Sequence, residues 1–586
     1  MALQRTGMSI PTSVAGSFGQ SATAAAALSN DGARLLALTD AIERDQLATS
    51  FTAQIRAGKR ITVFGDYSLA KVARDEANRR RWMQMLKSID PSHLTPIDRE
   101  TYGIVQFDLH NASAGEIEYW LTFDLTAYQA PMAVGFVNQL LTARPLGNAA
   151  EAAEYLRLVN LYAAMIESLV AKVGAQTVKG IYLPKPALPV VRRTWVDIAA
   201  GLDLLCPSDA RLSKLGGSSR ARLVAGIDAV VAKRIKPSFA KLNTILGPDY
   251  ESKAPEAVGL GQYPNGKALY AKLIQRYTTL PLTPDQVRTI GENDVAEVST
   301  KMAAIRKQFG SNDTARVFYD KLSADPRFLA RTTDDVEATY NRYIGRIVSK
   351  LPDYFLTLPK APYGVQRLPL EAEAGQTFGY YNPPTGAETR GLYYYNGSQL
   401  DKRSMINAGT LIYHELMPGH HMQIAIQEEN AALSPYRKRY EVGAFSEGWA
   451  EYAASLGIEM GLYDTPEALY GRYVNEMFLT ARLIVDTGMN YFGWPLEKAQ
   501  AYMRENTSLS DVEIDSETLR YSTSIPGQAL GYRIGYVKFW ELRQKAEKAL
   551  GPKFDLRQFH DIALLPGARP LDAVEKDIDA YIAGKK

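Results

Sequence analysis

A cluster of histidines beside a glutamate is the part of the sequence best suited to chemistry. Residues 411–423 read LIYHELMPGHHMQ and hold three of the six histidines in the 586-residue chain: His414, His420 and His421, with Glu415 directly after the first. Neutral imidazole is a common zinc ligand, and a carboxylate next to it can accept a proton from a water molecule that the metal activates. These residue types therefore point to zinc-dependent hydrolysis.

The spacing of the histidines departs from the common H-E-x-x-H pattern, in which both ligands lie on one helical face. The position four residues after His414 is Pro418. On a straight helix His420 would lie about 9 Å further along the axis and about 120° off the face, and His421 about 10 Å away, whereas zinc bonds are about 2 Å long. Proline interrupts helical hydrogen bonding, and Gly419 tolerates most backbone conformations. We therefore expect a Pro-Gly bulge that restores ligand geometry.

A third candidate ligand comes from residues 445–456, FSEGWAEYAASL. Glu447 and Glu451 are one helical turn apart on the same face, and their neighbours are aromatic or small rather than solvated. Glu447 would be the third ligand and leave one position open for water, while Glu451 would accept a hydrogen bond from His414 and set its tautomer. The alternative is an ordinary structural role, in which Pro418 ends a helix and the two glutamates face solvent.

HELMPGHH followed by EGWAEY resembles the DUF885 family of bacterial proteins, which is similar in arrangement to the gluzincin metallopeptidases. Angiotensin-converting enzyme and carboxypeptidase Taq have H-E-x-G-H, followed by a helix with the ligand glutamate and an acidic residue four positions later. The resemblance implies that Zn²⁺ is bound by His414, His420 and Glu447. The chain departs from the peptidase pattern by a two-residue expansion, which leaves His421 as a competing second ligand.

Two later segments extend the resemblance. YVNEMFLTARLIVDTGMN resembles the family's R-L-V-x-D-T-G-x-H segment, but Asn490 stands where a histidine is usual, which implies an altered or lost contribution. RYSTSIPGQALGYRIG resembles a segment of carboxypeptidase Taq near its catalytic tyrosine. This resemblance makes Tyr532 the candidate hydrogen-bond donor to the oxyanion and Tyr521 the reserve, with Gln528 as a candidate substrate contact.

Overall composition bounds the class of protein. A net charge of +3, from 67 basic and 64 acidic residues, provides no electrostatic case for a nucleic-acid partner. The single cysteine, Cys206, excludes an intramolecular disulfide and a thiolate metal site. The first thirty residues lack the apolar core of a signal peptide, and no apolar run reaches the roughly 18 residues of a membrane span. We therefore expect a soluble protein. Its location is expected to be cytoplasmic or periplasmic, and the periplasm is included because many members of the resembling family are exported.

Helical periodicity dominates residues 31–357, and the following segment is rich in Pro, Gly and Tyr. We expect a mainly α fold with a deep cleft: a flexible segment at 1–30, a helical scaffold at 31–357, and a catalytic subdomain at 358–586 that combines short strands with the metal helices. Residues 390–396, RGLYYYN, are the clearest strand. In gluzincins an edge strand here binds extended substrate through main-chain hydrogen bonds, and Tyr394 is a candidate contact.

Together these features predict a zinc metallopeptidase that hydrolyses short peptides, as an oligopeptidase, a dipeptidase or a carboxypeptidase-like enzyme. Glu415 would be the general base and Tyr532 the oxyanion donor. Two alternatives stay open. One is a hydrolase of a non-standard amide or peptide-like natural product, and the other is a catalytically impaired protein that binds peptide or metal.

Overall fold

The computed structural model describes residues 30–130, 134–373, 379–384 and 388–585, and it is mainly α-helical, as the periodicity predicts. The flexible segment expected at 1–30 lies outside the described residues except for Asn30, which begins the first helix. The helices up to residue 357 are α1 (Asn30–Thr49), α2 (Phe51–Arg56), α3 (Leu69–Lys87), α4 (Pro96–Asn111), α5 (Glu116–Leu121), α6 (Phe136–Thr142), α7 (Ala149–Val178), α8 (Leu188–Ala200), α9 (Asp209–Leu212), α10 (Gly217–Val230), α11 (Lys236–Ile245), α12 (Pro248–Lys253), α13 (Gly266–Thr278), α14 (Pro284–Gln308), α15 (Ala315–Ser323), α16 (Thr333–Val348) and α17 (Leu351–Tyr354). The later helices are α18 (Leu370–Glu373), α19 (Ala408–Glu415), α20 (His420–Glu429), α21 (Pro435–Lys438), α22 (Gly443–Glu459), α23 (Pro466–Asn490), α24 (Leu496–Asn506), α25 (Asp511–Leu519), α26 (Leu530–Leu550), α27 (Leu556–Leu564) and α28 (Leu571–Lys585). The strands are β1 (Tyr363–Arg367), β2 (Tyr380–Asn382) and β3 (Gly391–Tyr395).

Local sequence sets where many of these helices begin. At the start of α14 the hydroxyl of Thr283 accepts the main-chain N–H of Gln286, and the Gln286 side chain accepts the N–H of Thr283, which closes a capping box. Pro284 occupies the first turn, where its missing N–H breaks no helical hydrogen bond. Signals of this kind involve only near neighbours, and for that reason the helical segments can be predicted from the sequence.

The long helix α7 lies in the middle of the amino-terminal core. Its buried side chains include Tyr155, Tyr162 and Ile166, which share an apolar cluster with Trp195 of α8. By length and composition α7 is also the one helix among the described residues that could cross a membrane, but 56% of its most apolar window is buried inside the protein. Its apolar face is therefore accounted for by packing in the core.

The small sheet has the strand order β1-β3-β2, with β3 parallel to β1 and antiparallel to β2. β3 confirms the strand predicted at 390–396. Its position corrects the expectation of an edge strand, because β3 is the central strand and pairs on both sides. An extended peptide could therefore add to this sheet only at β1 or β2. The Tyr394 side chain stacks on Tyr380 of β2, with ring centroids 5.6 Å apart.

Helices from both predicted subdomains pack against one another around the histidine segment. α14 lies along α23, α16 contacts α19, and α22 crosses α26. The α22–α26 crossing is close because Gly448 faces Gly535: a Cβ atom on Gly535 would lie 2.0 Å from the carbonyl oxygen of Ala444. The first two contacts cross the predicted boundary at residue 357, so the two segments share their packing. The deep cleft stays a prediction.

Candidate metal centre

The helix is interrupted between the first two histidines. α19 ends at Glu415 and α20 begins at His420, and the turn between them contains a cis peptide bond at Met417–Pro418. In this turn the backbone of Gly419 approaches His414 so closely that a Cβ atom would lie 1.8 Å from the His414 carbonyl oxygen, so only glycine fits. The expectation of a bulge within one helix is corrected here: two separate helices are joined by a tight turn.

Helix α22 is tied to this turn by a buried tryptophan. The indole N–H of Trp449 donates a hydrogen bond of 2.9 Å to the carbonyl oxygen of Pro418. Trp449 is fully buried, and Glu447 lies two residues before it on the same helix. The bond therefore helps to fix the position of the Glu447 carboxylate relative to the two histidines.

The turn brings three potential metal ligands together. Oε2 of Glu447 lies 3.4 Å from Nε2 of His414 and 3.4 Å from Nε2 of His420. Ligand atoms of the three side chains all lie within 4.8 Å of one another. The ligands of a tetrahedral zinc ion with bonds of about 2.0–2.1 Å are about 3.3 Å apart, so the observed spacing fits such an ion.

The charges around this group also favour a cation. Three carboxylates, those of Glu415, Glu447 and Glu451, belong to this neighbourhood, and among the described residues Arg472 forms an ion pair with one of them, Glu451. Burial lowers the pKa of His414, but Glu447 and Glu451 overcome that effect and raise it well above its usual value. Burial likewise opposes ionisation of Glu447, yet the two imidazoles hold its pKa well below the usual range. A potential that retains a proton on a buried imidazole also favours a bound metal ion.

The structure places His421 away from this group. Its Nε2 lies 3.0 Å from the carbonyl oxygen of Ala361, and its Nδ1 lies 2.9 Å from the hydroxyl of Tyr381. The imidazole also packs against the sheet at Gly391, where a Cβ atom would lie 2.2 Å from Nδ1. His421 is fully buried, and burial lowers its pKa. Of the two histidines that the sequence left as alternatives, His420 is the one beside His414.

Glu451 lies where the sequence analysis expected it, behind His414. Its Oε1 is 2.9 Å from Nδ1 of His414, and its two oxygens also accept hydrogen bonds from Arg472 at 2.8 Å and Asn475 at 3.1 Å. Burial opposes ionisation, but Arg472 and His414 lower the pKa of Glu451 to about 2. Sequence reasoning missed Arg472 and Asn475. Their spacing of three residues on α23 was the available signal, although nothing local connects that helix to Glu451.

The predicted general base and oxyanion donor both lie next to the candidate ligands. Glu415 is half-buried and directly follows the candidate ligand His414 at the end of α19. Burial raises the pKa of Glu415, and the positive charge of the neighbouring imidazoles opposes this. For Tyr532 the largest influence is the Glu447 carboxylate, which together with burial raises the pKa of the phenol well above its usual value. Tyr532 lies one helical turn before Gly535, which touches Gly448 next to Glu447, so the phenol is near the Glu447 carboxylate and stays protonated at neutral pH.

The other candidate residues contact groups other than the candidate ligands. Tyr521 is fully buried; its hydroxyl accepts a 2.7 Å hydrogen bond from Nε of Arg482 and donates to Glu517. Oε1 of Gln528 accepts a hydrogen bond of 3.0 Å from Nη2 of Arg520. The Tyr394 ring lies on the sheet against the Tyr380 ring.

Asn490, which replaces the family's usual histidine, has a structural position. Its Nδ2 donates to a carboxylate oxygen of Asp486 at 3.1 Å and to the carbonyl oxygen of Tyr521 at 3.0 Å, and its Oδ1 accepts from the N–H of Leu260 at 3.0 Å. Asp486 also accepts from the hydroxyl of Tyr270 at 2.7 Å. Burial raises the pKa of Asp486 to about 7. These contacts join α23 to the segment before α13 and to the segment around Tyr521. Both the nitrogen and the oxygen of the Asn490 amide are hydrogen-bonded in them.

Fold and site together define a mainly helical protein with a candidate metal centre of two histidines and one glutamate. The chain belongs to the family described as "Bacterial protein of unknown function (DUF885)", which matches residues 52–578. No curated protein matches the chain.

Two solved structures have a similar fold. The first is titled "The crystal structure of the putative lipoprotein from Colwellia psychrerythraea"; it has a TM-score of 0.84 and 24% sequence identity, and covers 95% of this chain and 100% of its own. The second is titled "The structure of a putative lipoprotein of unknown function from Shewanella oneidensis", with a TM-score of 0.67, 19% identity and coverage of 92% and 99%. At these identities the similarity shows the fold alone.

Proposed function

We propose that this chain is a zinc-dependent metallopeptidase that hydrolyses short peptides. The observation that supports this most directly is the 3.4 Å separation of Glu447 Oε2 from Nε2 of both His414 and His420, with Glu415 beside them. Catalytic zinc sites commonly have three protein ligands of these types and keep a fourth position for water or substrate. The resemblance of HELMPGHH and EGWAEY to gluzincin motifs agrees with the same ligand order.

In the proposed reaction Glu415 is the general base. Zinc bound to His414, His420 and Glu447 would supply Lewis-acid polarisation of the scissile carbonyl and lower the pKa of water. The Glu415 carboxylate would accept a proton from the attacking water and pass it to the nitrogen of the leaving amine. Burial raises the pKa of Glu415, which brings this carboxyl group closer to a range in which it can both accept and return a proton.

Two further groups would support this chemistry. The protonated hydroxyl of Tyr532 would donate a hydrogen bond to the oxyanion that forms on the substrate. Glu451, held by Arg472 and Asn475, would keep a proton on Nδ1 of His414 and so leave Nε2 free as a ligand atom. Short peptides are proposed as substrates by analogy with the enclosed sites of the similar peptidases.

The Glu415→Gln variant tests this function. We expect it to retain about one zinc per chain, because Glu415 is not a ligand, and to lose about 10²- to 10⁴-fold in peptide hydrolysis, because the base is removed. The measurements are metal analysis and a peptide-library digest followed by mass spectrometry, with and without a chelator.

Glu428→Gln is the matched control, since Glu428 is an exposed glutamate on α20 and should leave both readouts unchanged. Full activity of Glu415→Gln would contradict the general-base role. Absence of zinc from the wild-type chain after purification with zinc would contradict the metal centre.

We also propose that the chain works outside the cytoplasm. The titles of both similar structures use the words "putative lipoprotein" for those proteins. Bacterial lipoproteins are exported and anchored at a membrane surface, and we extend this location to the present chain. Fractionation of cells that express the native gene should recover the chain with periplasmic or membrane markers, and recovery with cytoplasmic markers would contradict the proposal.

A further inference from the structure

Two arginines lie beside Tyr532. Cζ of Arg482 is 5.2 Å from the centre of the Tyr532 ring. Arg520, in the π-helical turn Arg520–Ser524 that follows α25, donates from Nη2 to Oε1 of Gln528 at 3.0 Å. Arg482 therefore borders the Tyr532 ring, and Arg520 is bonded to Gln528, four residues before Tyr532 in the chain.

These arginines have fewer acidic partners than their burial calls for. Arg482 is 6% exposed, and the Arg520 side chain is 12% exposed. Among the described residues, Glu517 is the carboxylate that forms an ion pair with either of them, at 3.2 Å from Arg482 and 2.9 Å from Arg520. Two buried cations thus share one anion, and buried charges are costly unless they are paired.

Hydrogen bonding at Arg520 is incomplete as well. Its Nε is buried and has no hydrogen-bond partner among the described residues. A buried donor of this kind is normally satisfied by a partner or by an ordered molecule. The planar guanidinium fork suits a carboxylate, which can accept two parallel N–H groups. Excess positive charge and an unused donor thus occur together, next to the proposed oxyanion donor.

We propose that Arg520 and Arg482 bind the carboxylate at the carboxyl terminus of a short peptide substrate. This inference rests on the proposed function, because it takes the metal centre as the place of cleavage. Arg482 borders the Tyr532 ring, and Tyr532 lies one helical turn before Gly535, which touches Gly448 next to Glu447. We therefore place the anchored carboxylate within one or two residues of the centre, at about 3.5 Å per residue. The enzyme then releases residues from the carboxyl end.

An acidic side chain would present the same carboxylate chemistry. The terminal carboxylate is the better candidate because every unmodified peptide has one, whereas an acidic side chain occurs only in some sequences. Three peptides separate the two sources: trialanine with a free carboxyl terminus, trialanine amide, and the amide of Ala-Ala-Glu.

Binding is measured by isothermal titration calorimetry with the zinc-loaded Glu415→Gln protein, which should bind these peptides without cleaving them. We expect free trialanine to bind about 10- to 100-fold more tightly than its amide, the range typical of hydrogen bonds to charged groups. The amide of Ala-Ala-Glu should bind like trialanine amide. Equal binding of acid and amide would overturn the proposal, and tighter binding of the Ala-Ala-Glu amide would assign the arginines to an acidic side chain instead.

Substitutions in the same Glu415→Gln background identify the arginine. Arg520→Gln should abolish the preference for the free acid and leave binding of the amide unchanged. Arg504→Gln is the matched control, because Arg504 is an exposed arginine on α24 that pairs with Asp511, and it should keep the full preference. If Arg520→Gln does not fold, Arg520→Lys provides the test: it keeps the charge without the fork, so the preference should fall but persist.

The activity of the wild-type chain separates this inference from the proposed function. Hydrolysis of trialanine and its amide at equal rates would support the peptidase and overturn the carboxylate anchor. Absence of hydrolysis, together with an Arg520-dependent preference for the free acid in binding, would support the anchor and overturn the peptidase.

Discussion

At the scale of single residues, two adjacent histidines have opposite surroundings. His420 faces Glu447 and His414, whereas His421 is buried against the sheet, with one ring nitrogen near the carbonyl oxygen of Ala361 and the other near the Tyr381 hydroxyl. Successive residues of a helix differ in direction by about 100°, so neighbours in sequence cannot both face one ion. The first turn of α20 thus separates a candidate ligand from a packing residue.

Identical substitutions at these two positions should have different effects. We expect His420→Phe to lose bound zinc and remain folded. His421→Phe should keep its zinc but lower the free energy of unfolding by about 1–3 kcal/mol, because buried polar groups lose their partners. Metal analysis and urea unfolding measure the two outcomes. Loss of zinc from the His421 variant alone would assign the second ligand to His421.

A third histidine makes stability depend on pH. The hydroxyl of Tyr452 donates to Nε2 of His560 at 2.8 Å, and Nδ1 of His560 donates to the carbonyl oxygen of Tyr354 at 2.8 Å, which suits the neutral ring. Full burial lowers the pKa of His560 to about 3. The unfolded chain binds a proton here below about pH 6.5 and the folded chain does not, so this contribution to stability is complete above that pH and is lost as the pH falls towards 3.

We expect the contribution of His560 to fall by about 1.4 kcal/mol per pH unit between about pH 6.5 and 3. Urea unfolding at a series of pH values measures the slope. His560→Gln should reduce the slope by about one proton, whereas the exposed His110→Gln should keep the wild-type slope. An unchanged slope in the His560 variant would show that this ring is not the group responsible.

At the scale of elements, the candidate site depends on how closely helices cross. Glu447 and Glu451 lie on α22, Tyr532 lies on α26, and the two helices touch at Gly448 and Gly535. A larger residue at either glycine would separate the helices and move the tyrosine away from the ligand carboxylate. The glycines of EGWAEY and GYRIG are therefore explained by packing.

Gly535→Ala should destabilise the protein by about 3 kcal/mol, because the added methyl group meets the backbone of α22. It should also reduce peptide hydrolysis, since Tyr532 is displaced. Gly345→Ala on α16 is the control: nothing lies within 4 Å of the added Cβ atom, and alanine in a helix should stabilise by about 0.5–1 kcal/mol. Thermal unfolding and kcat/KM measure both effects. Wild-type stability of Gly535→Ala would contradict the close crossing.

At the scale of the whole molecule, buried ion pairs join the amino-terminal helices to the carboxy-terminal helices. Glu100 of α4 lies 3.2 Å from Arg437 and 2.8 Å from Arg569, and both arginines are fully buried. Tyr436 belongs to the same apolar cluster as Leu35 of α1. Residues more than three hundred positions apart thus share buried charge and core, which supports the position of α20 and the following turn.

Glu100→Gln should lower the free energy of unfolding by about 3–5 kcal/mol, because it removes one partner of buried charges. Asp572→Asn provides the comparison, since it breaks an exposed pair with Lys576 and should cost less than about 1 kcal/mol. Urea unfolding measures both values. A small effect of Glu100→Gln would mean that the amino-terminal helices contribute little to the stability of the remainder.

The sequence by itself determined the helical character, the strand at 391–395 and the types of the candidate ligands. Helix caps and the 3.6-residue periodicity depend on near neighbours, and the chemistry of a metal ligand depends on the residue type. These features can therefore be predicted from the sequence without the tertiary structure. Only the tertiary structure shows that His420, and not His421, lies beside His414. It also places β3 in the centre of the sheet, Arg472 behind Glu451 and Arg482 against the Tyr532 ring. These depend on the backbone path through the turn before α20 and on contacts between distant segments, which no local pattern specifies.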